Sequence, residues 1–358
     1  MNSERVLVCL LASTRAHKLT FPSFKKYVLD ELDADLALAL AINENYNHKN
    51  PLWQSAKYRW TVPDMKDYGK GFDMAQRSLC EQFNIVPTDW RLMLELKGLW
   101  QGGIRTPNPQ PTASALSPFC RWLLLNGLHK DGILNLYDRF VITRSDFLWL
   151  CPHPPLSILD RHAIWIPDGE DYGGVNDRHL VVSRADVADC LNVLNDIVLQ
   201  PTELYAEMRN QRGDHGWNNE FFFAQHLRRK GLFHKIKRFP YFMYLGRSFW
   251  DRTATWSPGR YEPAVGHYIK YEREYRAACN CARLIRSGAD WKNVDWEQVE
   301  AEVTESADPR SPRFHLRIWY VSLDWYLRIH SALRRPGRTA RFFRFLRRMV
   351  LNSDRIED

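Results

Sequence analysis

The sequence predicts an α/β fold: a mixed, mostly parallel sheet flanked by helices and followed by a helical C-terminal extension. Three observations lead there. The chain opens with an apolar run "RVLVCLLA", a polar turn "STRAHK", a helix-like "FPSFKKYVLDEL" and a second apolar run "ADLALALAIN", the β-α-β order that builds parallel sheets. At 358 residues with 45% hydrophobic residues, it is long enough to bury a large core. Later apolar strand-like runs alternate with helical ones that carry start and stop signals, Ser183 and either Asn218 or Asn219 as N-caps and Gly231 as a terminator.

Taken in order, the first strand ends at Ser13, Thr14 and Arg15. Ligands in open α/β sheets sit at the carboxyl ends of strands, so these three are candidate binding residues. Residues 43–83 read as a loop that could hold a base or ribose, followed by a helix. The segment "WRLMLELKGLW" reads as a strand running into Gly102-Gly103, and a Pro-rich loop then leads to a helix carrying Arg121 and Trp122. No GxGxxG, Walker A or GxSxG motif occurs, so neither dinucleotide, P-loop nor serine-hydrolase chemistry has support from motif.

The strand "RFVITRSDFLWL", residues 139–150, is interrupted by Arg144, Ser145 and Asp146. A carboxylate in a buried strand must pair with a cation, bind a metal or protonate. Downstream, "DGEDYGGVNDRH" clusters Asp168, Glu170, Asp171, Asp177, Arg178 and His179 around Gly173-Gly174. Carboxylates so placed suit sugar hydroxyls, and a solvated acidic loop is the plainer alternative, best fitted to Glu170. "GDHGWNNE" then places Trp217 and Glu220 at a helix start, where an acid also complements the helix dipole.

On "YDRFVITRSDFLWL", "IWIPDGEDYGGVNDRH", "WNNEFFFAQHL" and the β-α-β opening, the chain resembles the glycosyltransferases of the GT-A fold, in particular those that build bacterial or viral surface polysaccharides. The resemblance spans roughly residues 5 to 260. It implies a donor site for a nucleotide-sugar, made by Ser13, Thr14, Arg15, Arg144, Ser145, Asp146 and Arg252. In that fold a DxD motif holds a divalent metal, Mn²⁺ or Mg²⁺. Here Arg-Ser-Asp stands in its place, so Asp146 is expected to hold the metal with a histidine such as His267, or Arg144 to neutralise part of the diphosphate itself. The resemblance further implies Glu220 as the base on the acceptor hydroxyl, with Asp177 its rival, and Asp171, Arg178 and Trp217 at the acceptor.

After residue 270 the sequence turns helical and charged, so a catalytic domain is expected over 1–270 and a helical, Arg-rich extension over 271–358. Residues 313–358 hold eleven Arg against four acidic residues, within a net charge of +8 for the whole chain. "TARFFRFLRRMVL", residues 339–351, sets Arg on one helical face and Phe, Leu, Met and Val on another, a pattern for lying on an anionic bilayer. Packing on the protein's own body ranks second and nucleic acid third. Seven scattered cysteines read as reduced thiols, and the apolar run from Val6 lacks the features of a secretion signal. The expected location is therefore the cytoplasmic face of a membrane, where lipid-linked glycan acceptors reside. A protein of another class, a non-catalytic one that docks through its basic tail, is the alternative.

Overall fold

The computed structural model describes residues 4–107, 109–110, 112–211, 216–248, 259–294 and 296. Chain order within them is β1 (Val6–Ala12), α1 (His17–Phe24, continued by a π turn to Leu29), β2 (Asp35–Ile42), α2 (Pro51–Ser55), β3 (Tyr58–Pro63), α3 (Gly69–Phe83), α4 (Leu116–Lys130) and β4 (Arg139–Thr143). Then follow β5 (Phe147–Trp149), β6 (Ile164–Pro167), β7 (Leu180–Ser183), α5 (Arg184–Leu191), α6 (Val193–Leu199), α7 (Pro201–Met208) and α8 (Asn219–Arg229). The described part closes with β8 (Ile236–Phe239), β9 (Met243–Arg247), β10 (Arg260–Glu262), β11 (His267–Ile269) and α9 (Glu272–Arg286).

Seven strands form the main sheet in the order β3-β2-β1-β4-β7-β6-β8. β3, β2, β1 and β4 run parallel, β7 is antiparallel to both β4 and β6, and β6 is parallel to β8. This is the mixed, mostly parallel α/β sheet expected from the opening β-α-β unit. Strand side chains alternate between faces, and β1 shows how both faces are filled. Leu7 and Cys9 join Phe72, Phe119 and Leu124 in one core, whereas Val6, Val8 and Leu10 join Phe24, Val28 and Trp149 in another.

"RFVITRSDFLWL" is not one strand. β4 ends at Thr143, and β5 begins at Phe147 in a second, antiparallel sheet of order β10-β11-β9-β5. The three polar residues between them are the chain's passage from one sheet to the other. α9, which the expected boundary at residue 271 assigned to the extension, packs with this second sheet. Ala277, Cys281 and Ala282 are buried beside Met243 and Leu245, and Glu274 accepts the Leu245 N–H at 3.0 Å.

Two further expectations are corrected. "WRLMLELKGLW" forms 3₁₀ turns at Trp90–Glu95 and Leu99–Gln101 rather than a strand, because Asp89 caps the Arg91 N–H at 3.0 Å and Trp90 and Met93, three apart, are the buried pair. Residues 43–68 are not all loop: β3 adds an edge strand whose only buried side chain is Val62, too little for an apolar signal. The basic stretch 339–351 lies outside the described residues. Among the described residues no helix is long and apolar enough to cross a membrane.

Candidate active-site cleft

The carboxyl ends of β1, β2 and β4 open into a cleft of about 1300 Å³. Ser13, Thr14 and Arg15, just past β1, line it, as the strand-end argument expects. They are flanked by Ala12 and Ala16 in left-handed conformation, φ 73° and 57°, a strained backbone for residues with a Cβ. Thr14 Oγ1 lies 3.0 Å from the Tyr46 hydroxyl, and the Thr14 carbonyl is 2.9 Å from His17 Nδ1. The turn is thus held from both sides.

One wall of the cleft is cationic. Arg15, Arg144, Arg247 and Lys270 line it, and the first three converge on Asp146 from behind. Arg15 Nε donates to Asp146 Oδ2 at 2.9 Å; Arg144 donates from Nε to Oδ1 at 2.9 Å and from Nη2 to Oδ2 at 3.0 Å; Arg247 Nη1 also donates to Oδ2. Burial alone would raise the Asp146 pKa, but the three guanidiniums outweigh it and hold the carboxyl well below the usual range. Asp146 is fully buried and does not line the cleft. Its role is to hold three arginines together.

The divalent metal implied by the resemblance does not fit these residues. Both Asp146 oxygens are occupied by guanidinium donors, and a dication there would face three like charges. The expected partner, His267, spends both ring nitrogens elsewhere, Nε2 on the Tyr244 hydroxyl at 2.8 Å and Nδ1 on the Val265 carbonyl at 2.9 Å. Among the described residues no three His, Cys, Asp or Glu side chains cluster as a metal site. Ser145 likewise departs from expectation: its hydroxyl donates to the Ser13 carbonyl at 2.8 Å and the Arg15 carbonyl at 3.1 Å, pinning the β1 turn to the β4–β5 break.

A second part of the lining is acidic. Asp177 and Glu220 both line the cleft. Glu220 sits in the first turn of α8, whose N-cap Asn218 accepts the Phe221 N–H at 2.9 Å. Gly174 brings the Asp177 loop onto that turn. A Cβ there would lie 2.1 Å from the Glu220 carbonyl oxygen, and the Val175 N–H donates to the same oxygen at 3.0 Å. Asp177 is steadied by the Ser117 hydroxyl at 3.2 Å and by buried Arg121, whose Nη2 donates to the Asp177 carbonyl at 2.5 Å. Burial, reinforced by the Asp177 charge, pushes the Glu220 pKa up to about 7.

Three residues expected at the acceptor fare differently. Arg178 lines the cleft, with its guanidinium 4.7 Å from the Tyr271 ring centre and 2.7 Å from Glu274 of α9. Asp171 does not line it; its Oδ1 accepts from Arg238 at 2.9 Å and from the Asn176 N–H at 2.7 Å, so it shapes the loop. Trp217 is core, 4% exposed and packed edge-on against Phe221 and Phe222. Arg252 lies outside the described residues. Sequence reasoning missed Lys270 and Tyr271 on the cationic side, and Tyr46, Asp64 and Tyr68 near β2 and β3. The Asn43–Phe83 loop signal covered the last three only as a region; Lys270 and Tyr271 had no signal.

No protein-family model matches the chain, and no curated protein matches it. Among solved structures, the apo form of mouse xyloside xylosyltransferase 1 is similar at 8% identity and a TM-score of 0.34, over 65% of this chain and 84% of that one.

Proposed function

We propose that the chain is a glycosyltransferase that moves a sugar from a nucleotide-sugar donor to a hydroxyl of a glycan or lipid-linked glycan. One observation carries this reading: a single cleft at the strand ends has a cationic wall of Arg15, Arg144, Arg247 and Lys270 and an acidic wall of Asp177 and Glu220. Glycosyl transfer needs both. The acceptor oxygen attacks the anomeric carbon, the carbon–oxygen bond to the diphosphate breaks, and the electron pair leaves on the diphosphate, where fixed cations stabilise the developing charge. The acceptor proton goes to a carboxylate, and a base with a pKa near the working pH does this best. Glu220, pushed up to about 7, has that property. Asp177 is the neighbour that helps raise it. A direct displacement of this kind inverts the anomeric centre.

A cleft of about 1300 Å³ has room for donor and acceptor together. At its β2–β3 end the half-buried Tyr46 offers a ring and a hydroxyl, and Asp64, which accepts from the buried Tyr68 hydroxyl at 2.7 Å, offers a carboxylate, groups suited to a nucleoside. The Arg-rich, Phe-rich pattern of residues 339–351 supports work at an anionic membrane surface on the cytoplasmic side, in the assembly of a surface polysaccharide.

The test is an anomeric NMR assay over a panel of nucleotide-sugars, on the wild type and on Glu220→Gln. Release of nucleoside diphosphate from one donor, abolished in Glu220→Gln while the donor still raises the melting temperature, is the result expected. A wild type that neither turns over nor binds any nucleotide-sugar sinks the reading.

A further inference from the structure

We infer that the cationic wall is a diphosphate cradle that works without a divalent metal, three guanidiniums organised on a buried carboxylate supplying the charge that a metal would otherwise bring. The inference rests on the nucleotide-sugar reading and deepens it. Arg15, Arg144 and Arg247 are three positive charges on the single negative charge of Asp146, a surplus of two, which is the charge of a Mg²⁺ or Mn²⁺ ion. Lys270 adds to it at the cleft surface. Arg144 stands where the resemblance would place an acidic metal ligand, so the chain has put a cation where a cation's ligand was expected.

The geometry suits phosphate oxygens. Guanidiniums present planar forks of donors that match phosphate better than a single ammonium does. Arg144 uses Nε and Nη2 on Asp146, leaving Nη1 outside that fork. The Nε of Arg247, a residue 2% exposed, is buried with no hydrogen-bond partner among the described residues. A buried, unsatisfied donor on a side chain that lines a cleft is a standing demand for an acceptor. Both arginines are held rigid by Asp146, so little ordering remains when an anion arrives. Asp146 is a positioning residue in this account, not a ligand.

The experiment is calorimetric titration of the full chain, stripped of metal, with inorganic pyrophosphate, in EDTA and again with Mn²⁺. Affinity within about threefold between the two conditions is expected, because the cradle carries its own charge. Arg144→Gln and Lys270→Gln should each weaken pyrophosphate at least tenfold. Circular dichroism and melting curves show that each variant is folded, and since Lys270 is not one of the three cations that donate hydrogen bonds to Asp146, its substitution tests the wall while the bonds of the arginine cluster stay in place. Binding only with Mn²⁺, no binding in either condition, or folded variants that bind as the wild type does would each overturn the inference. The transferase reading fails separately. Metal-free pyrophosphate binding without turnover of any nucleotide-sugar keeps the cradle and removes the transferase, whereas turnover that requires Mn²⁺ keeps the transferase and removes the cradle.

Discussion

Arg144 grips Asp146 with two prongs, Nε 2.9 Å from one carboxylate oxygen and Nη2 3.0 Å from the other, although only one residue separates them in the chain. The pair sits where β4 passes into β5, at the turn from one sheet into the next. The local fork fixes the carboxylate, and Arg15 and Arg247 then arrive on it from the turn after β1 and from β9.

Removing Asp146 should therefore cost stability as well as the order of the cationic wall. Asp146→Ala strips three buried or half-buried guanidiniums of their shared partner, and breaking a buried ion pair from one side costs about 3–5 kcal/mol. Urea denaturation checks this. A loss under about 1 kcal/mol would mean that solvent, not Asp146, balances the arginines.

The acidic wall predicts a pH profile. Glu220 must be ionised to act as a base, so kcat should rise with pH through about 7 and level off above it. Asp177→Asn removes a negative neighbour, and the same limb should move to lower pH. Glu220→Gln should lower kcat by about 10²- to 10⁴-fold above pH 7, and the gap should narrow as pH falls and the wild-type carboxylate protonates. An unmoved limb in Asp177→Asn would show that burial alone sets the Glu220 pKa.

Lys270 should couple binding to proton uptake. Burial, with Arg144 and Arg247 nearby, pushes its pKa down to about 7. A bound diphosphate raises it again, so the complex holds more protons than the empty protein above pH 7, and affinity must fall as pH rises from about 7 to 9. Calorimetry in two buffers of different ionisation enthalpy reads the protons directly. Lys270→Met should abolish the uptake.

A second pH dependence belongs to stability. His153 and His179 are fully buried with ring centres 5.8 Å apart, and burial pushes the His153 pKa down to about 4 and that of His179 well below the usual value. Unfolding lets both protonate near pH 6.5, so the unfolded state binds more protons and stability falls as pH drops from about 6.5 towards 4. Each histidine contributes about 1.4 kcal/mol per pH unit in that window. Comparison of wild type with His153→Phe isolates one share; parallel stability curves for the two proteins would refute it.

Gly174→Ala tests how the acidic wall is built. Its Cβ would meet the Glu220 carbonyl oxygen at 2.1 Å, and relieving such a clash costs about 1–3 kcal/mol and moves the loop. Activity should fall although neither Asp177 nor Glu220 has changed. Thermal denaturation and turnover, measured together, separate the two effects.

Much of the frame was legible because it is written in periodicity and caps. β1 and β2 are continuous apolar runs of a sheet buried on both faces, Asn218 does cap α8, and Gly231, at φ 67°, follows its end. Strand ends led to Ser13, Thr14, Arg15 and Arg144, the polar loop before β7 to Asp177 and a helix start to Glu220, all of which line the cleft. What stayed hidden depends on contacts distant in sequence. Nothing local says that Asp146 would be claimed by Arg15, 131 residues away, rather than by a metal, or that Asp171 and Trp217 face inward to shape loop and core. Lys270 gains its meaning only from the arginines beside it.

The passage from β4 into β5 also bears on how the chain folds. Asp146 and Arg144 are near neighbours, but Arg15 and Arg247 come from 131 and 101 residues away, so the cluster forms only when both sheets have docked. Contacts of that range close late, after their loop entropy has been met. A misdocked intermediate would carry a carboxylate beneath one guanidinium instead of three, or bring arginines together around nothing. Like charges with no counterion oppose collapse, and the cluster thereby acts as a checkpoint on sheet docking as well as a fixture of the finished cleft.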